Sequence, residues 1–113
     1  MNQAAQANAE LTTDPNPPHK GSNRFRVRLT TTDGKPISGA QVTVTFFMAA
    51  MPGMGMAEMK TLVKLNDKGN GIYEGRGDLG SGGTWQVTIT ANQNGRLLLT
   101  KQMTLSATGG MWT

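Results

Sequence analysis

The sequence predicts an all-β protein, an antiparallel β-sandwich of six to seven strands. Short segments alternate between apolar and polar residues, and clusters of Gly, Asn, Asp and Pro separate them at regular spacing. The 113 residues include 15 glycines and are 36% hydrophobic, and the body of the chain has no long helix-forming mixture of Ala, Leu, Glu and Lys. A chain of this length suits one domain with a sizeable core.

The N-terminal part of the chain has a different composition from the rest. Residues 1–23 are rich in Ala, Asn and Pro, and "DPNPPHKGSN" alone contains three prolines. We therefore predict a flexible linker over residues 1–23, a β-sandwich domain over residues 24–106 and a tail over residues 107–113.

The first two strands of the predicted domain have a clear period of two. "RFRVRLT" places Phe25, Val27 and Leu29 on one face and three arginines on the other. After the turn "TDGKPISG", the segment "AQVTVTFFM" alternates again and ends with Met48 on its inward face. Both segments are typical of half-buried strands.

Four further strands follow, in "MKTLVKL", "GIYEGRG", "TWQVTITA" and "RLLLTKQMTLSA". The last two are joined by "NQNG", a hairpin turn. In the last segment Lys101 interrupts the apolar alternation, which suggests a bulge or an exposed end. Strand parity predicts this core: Phe25, Val27, Leu29, Val42, Val44, Phe46, Val63, Leu65, Tyr73, Trp85, Val87, Ile89, Leu97 and Leu99.

The reactive side chains do not form a catalytic pattern. With no cysteine, the chain cannot form disulfides, thiolate nucleophiles or zinc–thiolate sites. His19 is the one histidine and lies in the predicted linker, so a catalytic triad is excluded. "GRGDLGSGG" lacks the Lys-Ser/Thr of a phosphate-binding loop, and we interpret it as a loop with flexible glycines. We expect that the protein is not an enzyme.

The charge and hydropathy patterns limit the partners. The net charge is +4, but the 11 Lys and Arg are dispersed and no aromatic ladder accompanies them, so we expect no nucleic-acid binding. No segment approaches the roughly 18 apolar residues of a membrane span, so we expect no membrane insertion of this segment. No apolar signal-peptide region is present either, so an exported protein would be represented here by its mature form or by an excised domain.

Methionine is concentrated in one place. Five of the eight methionines lie between Met48 and Met59, in "MAAMPGMGMAEM". Core packing, an adaptable contact surface and a set of sulfur ligands are the three possible explanations. Pro52, Gly53 and Gly55 disfavour a continuous helix, and the irregular spacing does not follow strand parity. The segment therefore suits a loop that can curl and direct several side chains to one place.

Thioethers bind soft cations, because they are neutral and need no deprotonation. The loop therefore predicts a site for Cu(I) or Ag(I), with Met51, Met54 and Met56 at its centre. Met59 could close the site from the far side, and Met48 is either a ligand or a core residue. His19 could add an imidazole if the linker folds back, and Trp85 could cap the ion, although its phase with Val87 favours the core.

These segments resemble a known family. "NRFRVRLTTTDGKPISGAQVTVTF", "MPGMGM" and "GNGIYEGRGDLGSGGTWQVTIT" are similar, over roughly residues 17–105, to the YtkA-like domain. The resemblance implies a small immunoglobulin-like module that is periplasmic or otherwise extracytoplasmic. It also implies that such a module occurs alone or fused to CusB-type adaptor proteins of heavy-metal efflux systems. It would assign a Cu(I) or Ag(I) role to Met51, Met54 and Met56.

Together these observations predict a metallochaperone-like function. We expect capture of Cu(I) or Ag(I) in the periplasm and transfer to another efflux or carrier protein, for efflux or resistance. The alternative is a protein-interaction module of an efflux or envelope complex, in which the methionine-rich loop is an adaptable contact surface.

Overall fold

A computed structural model describes residues 7–108. Apart from one 3-10 turn at Pro52–Met54, its regular structure is all β. The strands are β1 (Ala7–Asp14), β2 (Gly21–Thr31), β3 (Gln41–Met48), β4 (Met59–Gly69), β5 (Ile72–Leu79), β6 (Gly83–Gln93) and β7 (Arg96–Ala107). In this part of the chain no helix has the length and apolar character needed to cross a membrane.

The seven strands are hydrogen-bonded in the order β1-β2-β5-β4-β3-β6-β7, and every pairing is antiparallel. Strand β4 belongs to both halves of this order. Its residues 59–65 pair with β3, and from Asn66 onward it pairs with β5. The strands β1, β2, β5 and β4 thus form one sheet, and β3, β6 and β7 form the other, which is the immunoglobulin arrangement. The predicted antiparallel immunoglobulin-like β-sandwich of six to seven strands is confirmed.

The core lies between the two sheets, and strand alternation predicts it well. Phe25 on β2 and Phe46 on β3 meet across the sandwich with ring centroids 4.5 Å apart. All the predicted core residues are buried except Leu97, which is 54% exposed. That prediction is wrong because the β6–β7 register shifts: Ala91 pairs with Leu99, but Asn92 pairs with Leu97. The bulge turns Leu97 outward, whereas Lys101 stays in register.

The prediction of a flexible linker over residues 1–23 is wrong for residues 7–14 and for the start of β2. Strand β1 pairs along its whole length with β2, from Ala7 opposite Thr31 to Asp14 opposite Arg24. Only alanines fill its two buried inward positions, so hydrophobicity alone did not indicate a strand. Lys101 also donates from Nζ to the carbonyl of Ala9 at 2.8 Å, which joins β7 to β1. Residues 1–6 and 109–113, including much of the predicted tail, lie outside the described residues.

Two glycines of β5 allow β4 to cross between the sheets. A Cβ on Gly75 would lie 2.8 Å from Leu65 Cδ2, and one on Gly77 would overlap Val63 Cγ2. Any larger residue at these positions would therefore push the sheets apart at the crossing. Strand β5 contains residues 75–77, as the strand predicted in "GIYEGRG" requires, and it continues through Asp78 and Leu79, where the interpretation of "GRGDLGSGG" as a flexible loop is wrong.

The side chains of Tyr73 and Asp67 hold the β2–β3 connection at one end of the sandwich by hydrogen bonds, and we call these two residues the latch. The Tyr73 hydroxyl donates to the Ile37 carbonyl at 2.8 Å and accepts the Ala40 N–H, and burial raises the pKa of this phenol. The Asp67 carboxylate accepts the N–H groups of Gly39 and Gly69 at 2.7 and 2.8 Å. These two hydrogen bonds, the one from Gly39 foremost, hold the pKa of Asp67 below its usual value of 3.8.

We predict that Gly77→Ala destabilises the fold by about 1–3 kcal/mol, because its methyl group overlaps Val63. Chemical denaturation measures this cost. Gly53→Ala is the matched control, since a Cβ there meets no atom within 4 Å. The cost of Gly77→Ala should shrink in a Val63→Ala background. An equal cost in both backgrounds would show that the contact with Val63 is not its cause.

We predict that the advantage in melting temperature of the wild type over Asp67→Asn disappears in acid. The folded-state pKa of Asp67 is depressed below its usual value of 3.8, so its carboxylate stabilises the fold above that unfolded-state pKa. That contribution is lost as the pH falls through the lower folded-state pKa. Thermal unfolding between about pH 6 and pH 2.5 measures the difference, with Asp33→Asn as the charge-matched control. A constant difference across this range would contradict the prediction.

Candidate functional site

The methionine-rich loop, residues 49–58 between β3 and β4, lies at one end of the sandwich. Antiparallel pairing places two other connections at the same end. Leu79, which ends β5, is opposite Gly21, which begins β2. The β1–β2 connection (residues 15–20) and the β5–β6 loop (residues 80–82) therefore lie at the same end as the methionine-rich loop. The Tyr73 and Asp67 latch lies at the other end.

Met48 and Met59 form a cross-strand pair at the base of the loop. They are directly opposite each other in the β3–β4 ladder, so their side chains project from the same face. Met48 is only 4% exposed and belongs to the core, whereas Met59 is partly buried. These positions fit both a packing role and a role as the inner wall of a sulfur site.

The glycine-rich β5–β6 segment packs directly on this lower pair. The Sδ atom of Met59 lies 3.1 Å from the position that a Cβ on Gly80 would occupy, and Met48 Cε lies 3.3 Å from that of Gly83. Side chains at these two positions would displace the thioethers. Sequence reasoning missed this contact, although the glycines of "GSGG" were the available signal.

Met51 and Met56 form a second cross-strand pair within the loop itself. Their backbones exchange two hydrogen bonds, from Met51 N–H to the Met56 carbonyl at 2.8 Å and back at 3.1 Å. Residues paired in this way project from the same side of the ladder, with Cα atoms about 5.5 Å apart. The 3-10 turn Pro52–Met54 closes the small hairpin, and Gly55 leaves it with a φ of 70°. That left-handed conformation favours glycine.

The loop methionines differ in exposure. Met54, at the tip, is 65% exposed, and Met51 is 37% exposed. Met56 is partly buried against the core. Of the three residues predicted at the centre of the site, Met51 and Met56 are thus paired by the backbone, and Met54 stands on the turn that joins them. The loop presents sulfur to solvent at its tip and to the core at its base.

The other predicted contributors have defined positions. Trp85 is fully buried, and its indole N–H donates to the Ser81 carbonyl at 3.1 Å, as suits a core residue. His19 lies at the methionine end, where its backbone N–H donates to the buried Asn23 side chain. Its Nδ1 lies 2.6 Å from the Lys20 carbonyl, so in the neutral ring Nδ1 is the donor and Nε2 keeps a free lone pair.

The chemistry of the donors at this end narrows the ions that could bind. Within residues 7–108, no three His, Cys, Asp or Glu side chains come together as a metal site would require. Zn²⁺, Ca²⁺ and Mg²⁺ need such nitrogen, thiolate or oxygen donors. The clustered donors of the loop are thioethers, which suit soft monovalent ions such as Cu(I) and Ag(I).

One of three comparisons with known proteins gives a match. No curated protein and no solved structure shows significant similarity to the chain. The YtkA-like family model, however, matches residues 1–90, which include six of the seven strands in whole or in large part and the complete methionine-rich loop. The chain belongs to the YtkA-like family.

Proposed function

We propose that this protein binds Cu(I) or Ag(I) through the methionine thioethers of the loop between β3 and β4. The observation that carries the proposal is the pairing of four methionines across two short stretches of antiparallel backbone, with a fifth at the tip between them. Core packing explains Met48 but not Met51 and Met54, which are exposed. An exposed thioether does not contribute the stabilisation that burial of its side chain would provide. Binding of a soft metal ion would explain why these side chains are exposed.

In this proposal Met51, Met54 and Met56 are the ligands. The bridge between Met51 and Met56 fixes the spacing of their two backbones, and Met54 lies on the turn that joins them. Met59, which is partly buried, would close the site from the core side. Met48, which is buried in the core opposite Met59, would support the site from within the sandwich. Two or three thioethers suffice for a low-coordinate Cu(I) ion.

The exposure of the loop suits capture and transfer better than permanent storage. Met54 offers a first sulfur to an arriving ion, and exchange of one thioether at a time can pass the ion to a partner. We propose a periplasmic or otherwise extracytoplasmic carrier that hands the metal to an efflux or carrier protein. Because thioethers cannot form disulfides, a cysteine-free site of this kind would not lose its ligands to disulfide formation in an oxidising compartment.

A second candidate function is an adaptable protein contact in an efflux or envelope complex. The exposure of Met51 and Met54 favours it, since flexible thioether side chains adapt to varied partner surfaces. The two functions differ in their need for metal. A contact surface binds its partner without Cu(I) or Ag(I), whereas a carrier binds metal without a partner.

We predict that stoichiometric Ag(I) shifts the methyl NMR signals of Met51, Met54 and Met56 together. The double variant Met51→Leu/Met56→Leu should keep the fold, because exchange of Met for Leu costs less than about 1.5 kcal/mol. It should lose at least about tenfold in Ag(I) affinity, because two of the three central sulfurs are removed. Competition titration under anaerobic conditions measures the affinity.

Met103→Leu is the matched control for this experiment. Met103 is partly buried on β7, outside the loop, so its replacement should leave Ag(I) binding unchanged. If Met103→Leu and the double variant bind Ag(I) equally, the loop is not the site. If the wild-type methyl signals do not shift at all, the metal proposal fails and the contact surface is favoured.

We predict that the affinity for Ag(I) changes little between about pH 5 and pH 7, because thioethers do not titrate in this range. An imidazole ligand would instead lose affinity as its ring is protonated. Titrations at both pH values on the wild type and His19→Ala separate these cases. A steep acid loss that His19→Ala abolishes would show that His19 is a ligand and that the thioether-only site is incorrect.

A further inference from the structure

A surface cleft lies on the outer face of the sheet that contains β2 and β5. This cleft of about 330 Å³ opens away from the core. Its lining residues are Arg24, Asn66, Lys68, Glu74, Gly75 and Arg76, and we call it the basic cleft. Three of these side chains are cationic and exposed, and one is acidic.

The basic cleft contains a like-charge pair in which neither residue has a salt-bridge partner in the described part of the chain. Arg24 on β2 and Arg76 on β5 are directly opposite each other in the ladder. Like charges in this relation are destabilising, because their side chains project side by side from one face. Within residues 7–108 the one ion pair joins Arg26 to Glu74, so no carboxylate lies within 4 Å of Arg24, Arg76 or Lys68 as a salt-bridge partner.

The single carboxylate of the cleft is already engaged. Glu74 Oε2 accepts from Arg26 Nε at 2.6 Å and also pairs with the other end of that guanidinium. Asp14 faces Arg24 across the β1–β2 ladder, but outside salt-bridge distance. The cleft therefore keeps an excess of positive charge between the two arginines and Lys68.

We propose that the basic cleft binds an oxyanion of the phosphate class. Two guanidinium groups offer planar pairs of N–H donors that match tetrahedral oxyanions, and Lys68 adds a point charge. Asn66 adds a neutral amide donor at the rim. An anion between Arg24 and Arg76 removes their mutual repulsion, so binding should stabilise the fold. The ligand is a free phosphate or the phosphate of an anionic lipid headgroup.

Inorganic phosphate tests the site directly on the complete chain. We expect phosphate to raise the melting temperature above that in chloride at equal ionic strength, and to shift the amide NMR signals around Arg24 and Arg76. Arg24→Gln/Arg76→Gln should weaken phosphate binding at least about tenfold, because it removes two of the three cationic donors of the cleft. Equal effects of chloride and phosphate on the wild type would overturn the proposal.

Arg28→Gln/Lys35→Gln is the charge-matched control. It also removes two positive charges, but Arg28 is opposite Ile72 on the ladder and neither residue lines the cleft. This control should keep phosphate binding within about twofold of the wild type. Without phosphate, Arg76→Gln alone should be at least as stable as the wild type, because it relieves the repulsion with Arg24 and leaves Arg24 opposite Asp14. Equal loss of phosphate binding in both double variants would show that binding depends only on the net charge of the protein, and it would refute a defined site.

Vesicles distinguish the two sources of the phosphate group. Sedimentation with vesicles of phosphatidylglycerol and phosphatidylcholine is compared with vesicles of phosphatidylcholine alone. Binding to the anionic vesicles that Arg24→Gln/Arg76→Gln abolishes and the control retains assigns the cleft to a lipid headgroup. Binding of inorganic phosphate without binding to vesicles assigns it to a free anion. Binding of neither contradicts the proposal.

Discussion

The passage of β4 from one sheet to the other is the constraint on which the rest of the structure depends. The strand begins beside β3 and ends beside β5, so it closes the sandwich along one side. Gly75 and Gly77 make the passage possible, because any Cβ there would meet Leu65 or Val63. Close packing on the inner face thus dictates two glycines in a strand, where glycine is otherwise unfavourable.

The same strand sets the geometry of both proposed sites. Its first residue, Met59, pairs directly with Met48 in the β3–β4 ladder. This pairing fixes the two ends of the methionine-rich loop at one end of the sandwich. The later part of β4 brings Asn66 and Lys68 to the outer face of β5, beside Arg76. The two proposed sites, the methionine-rich loop and the basic cleft, therefore lie on different surfaces of one scaffold, and neither requires the sandwich to move.

Much of this architecture could be predicted from the sequence, since alternation identifies the inward face of a strand. It identified the large buried residues of the core other than Met48 and Leu79, and it identified the loop between β3 and β4. It failed at β1, where small alanines are buried and backbone pairing supplies the order, and at Leu97, where a bulge in the neighbouring ladder reverses the face. The pairing of Met51 with Met56 was equally inaccessible, because it depends on a turn closed by Gly55 rather than on any periodic pattern.

The most direct test of the central claim is the X-ray absorption spectrum of the protein loaded with one equivalent of Cu(I). The account predicts a first coordination shell of two or three sulfurs, which Met51→Leu/Met56→Leu depletes and Met103→Leu leaves intact. A shell made of nitrogen and oxygen alone, or a sulfur shell that persists unchanged in Met51→Leu/Met56→Leu, would contradict it.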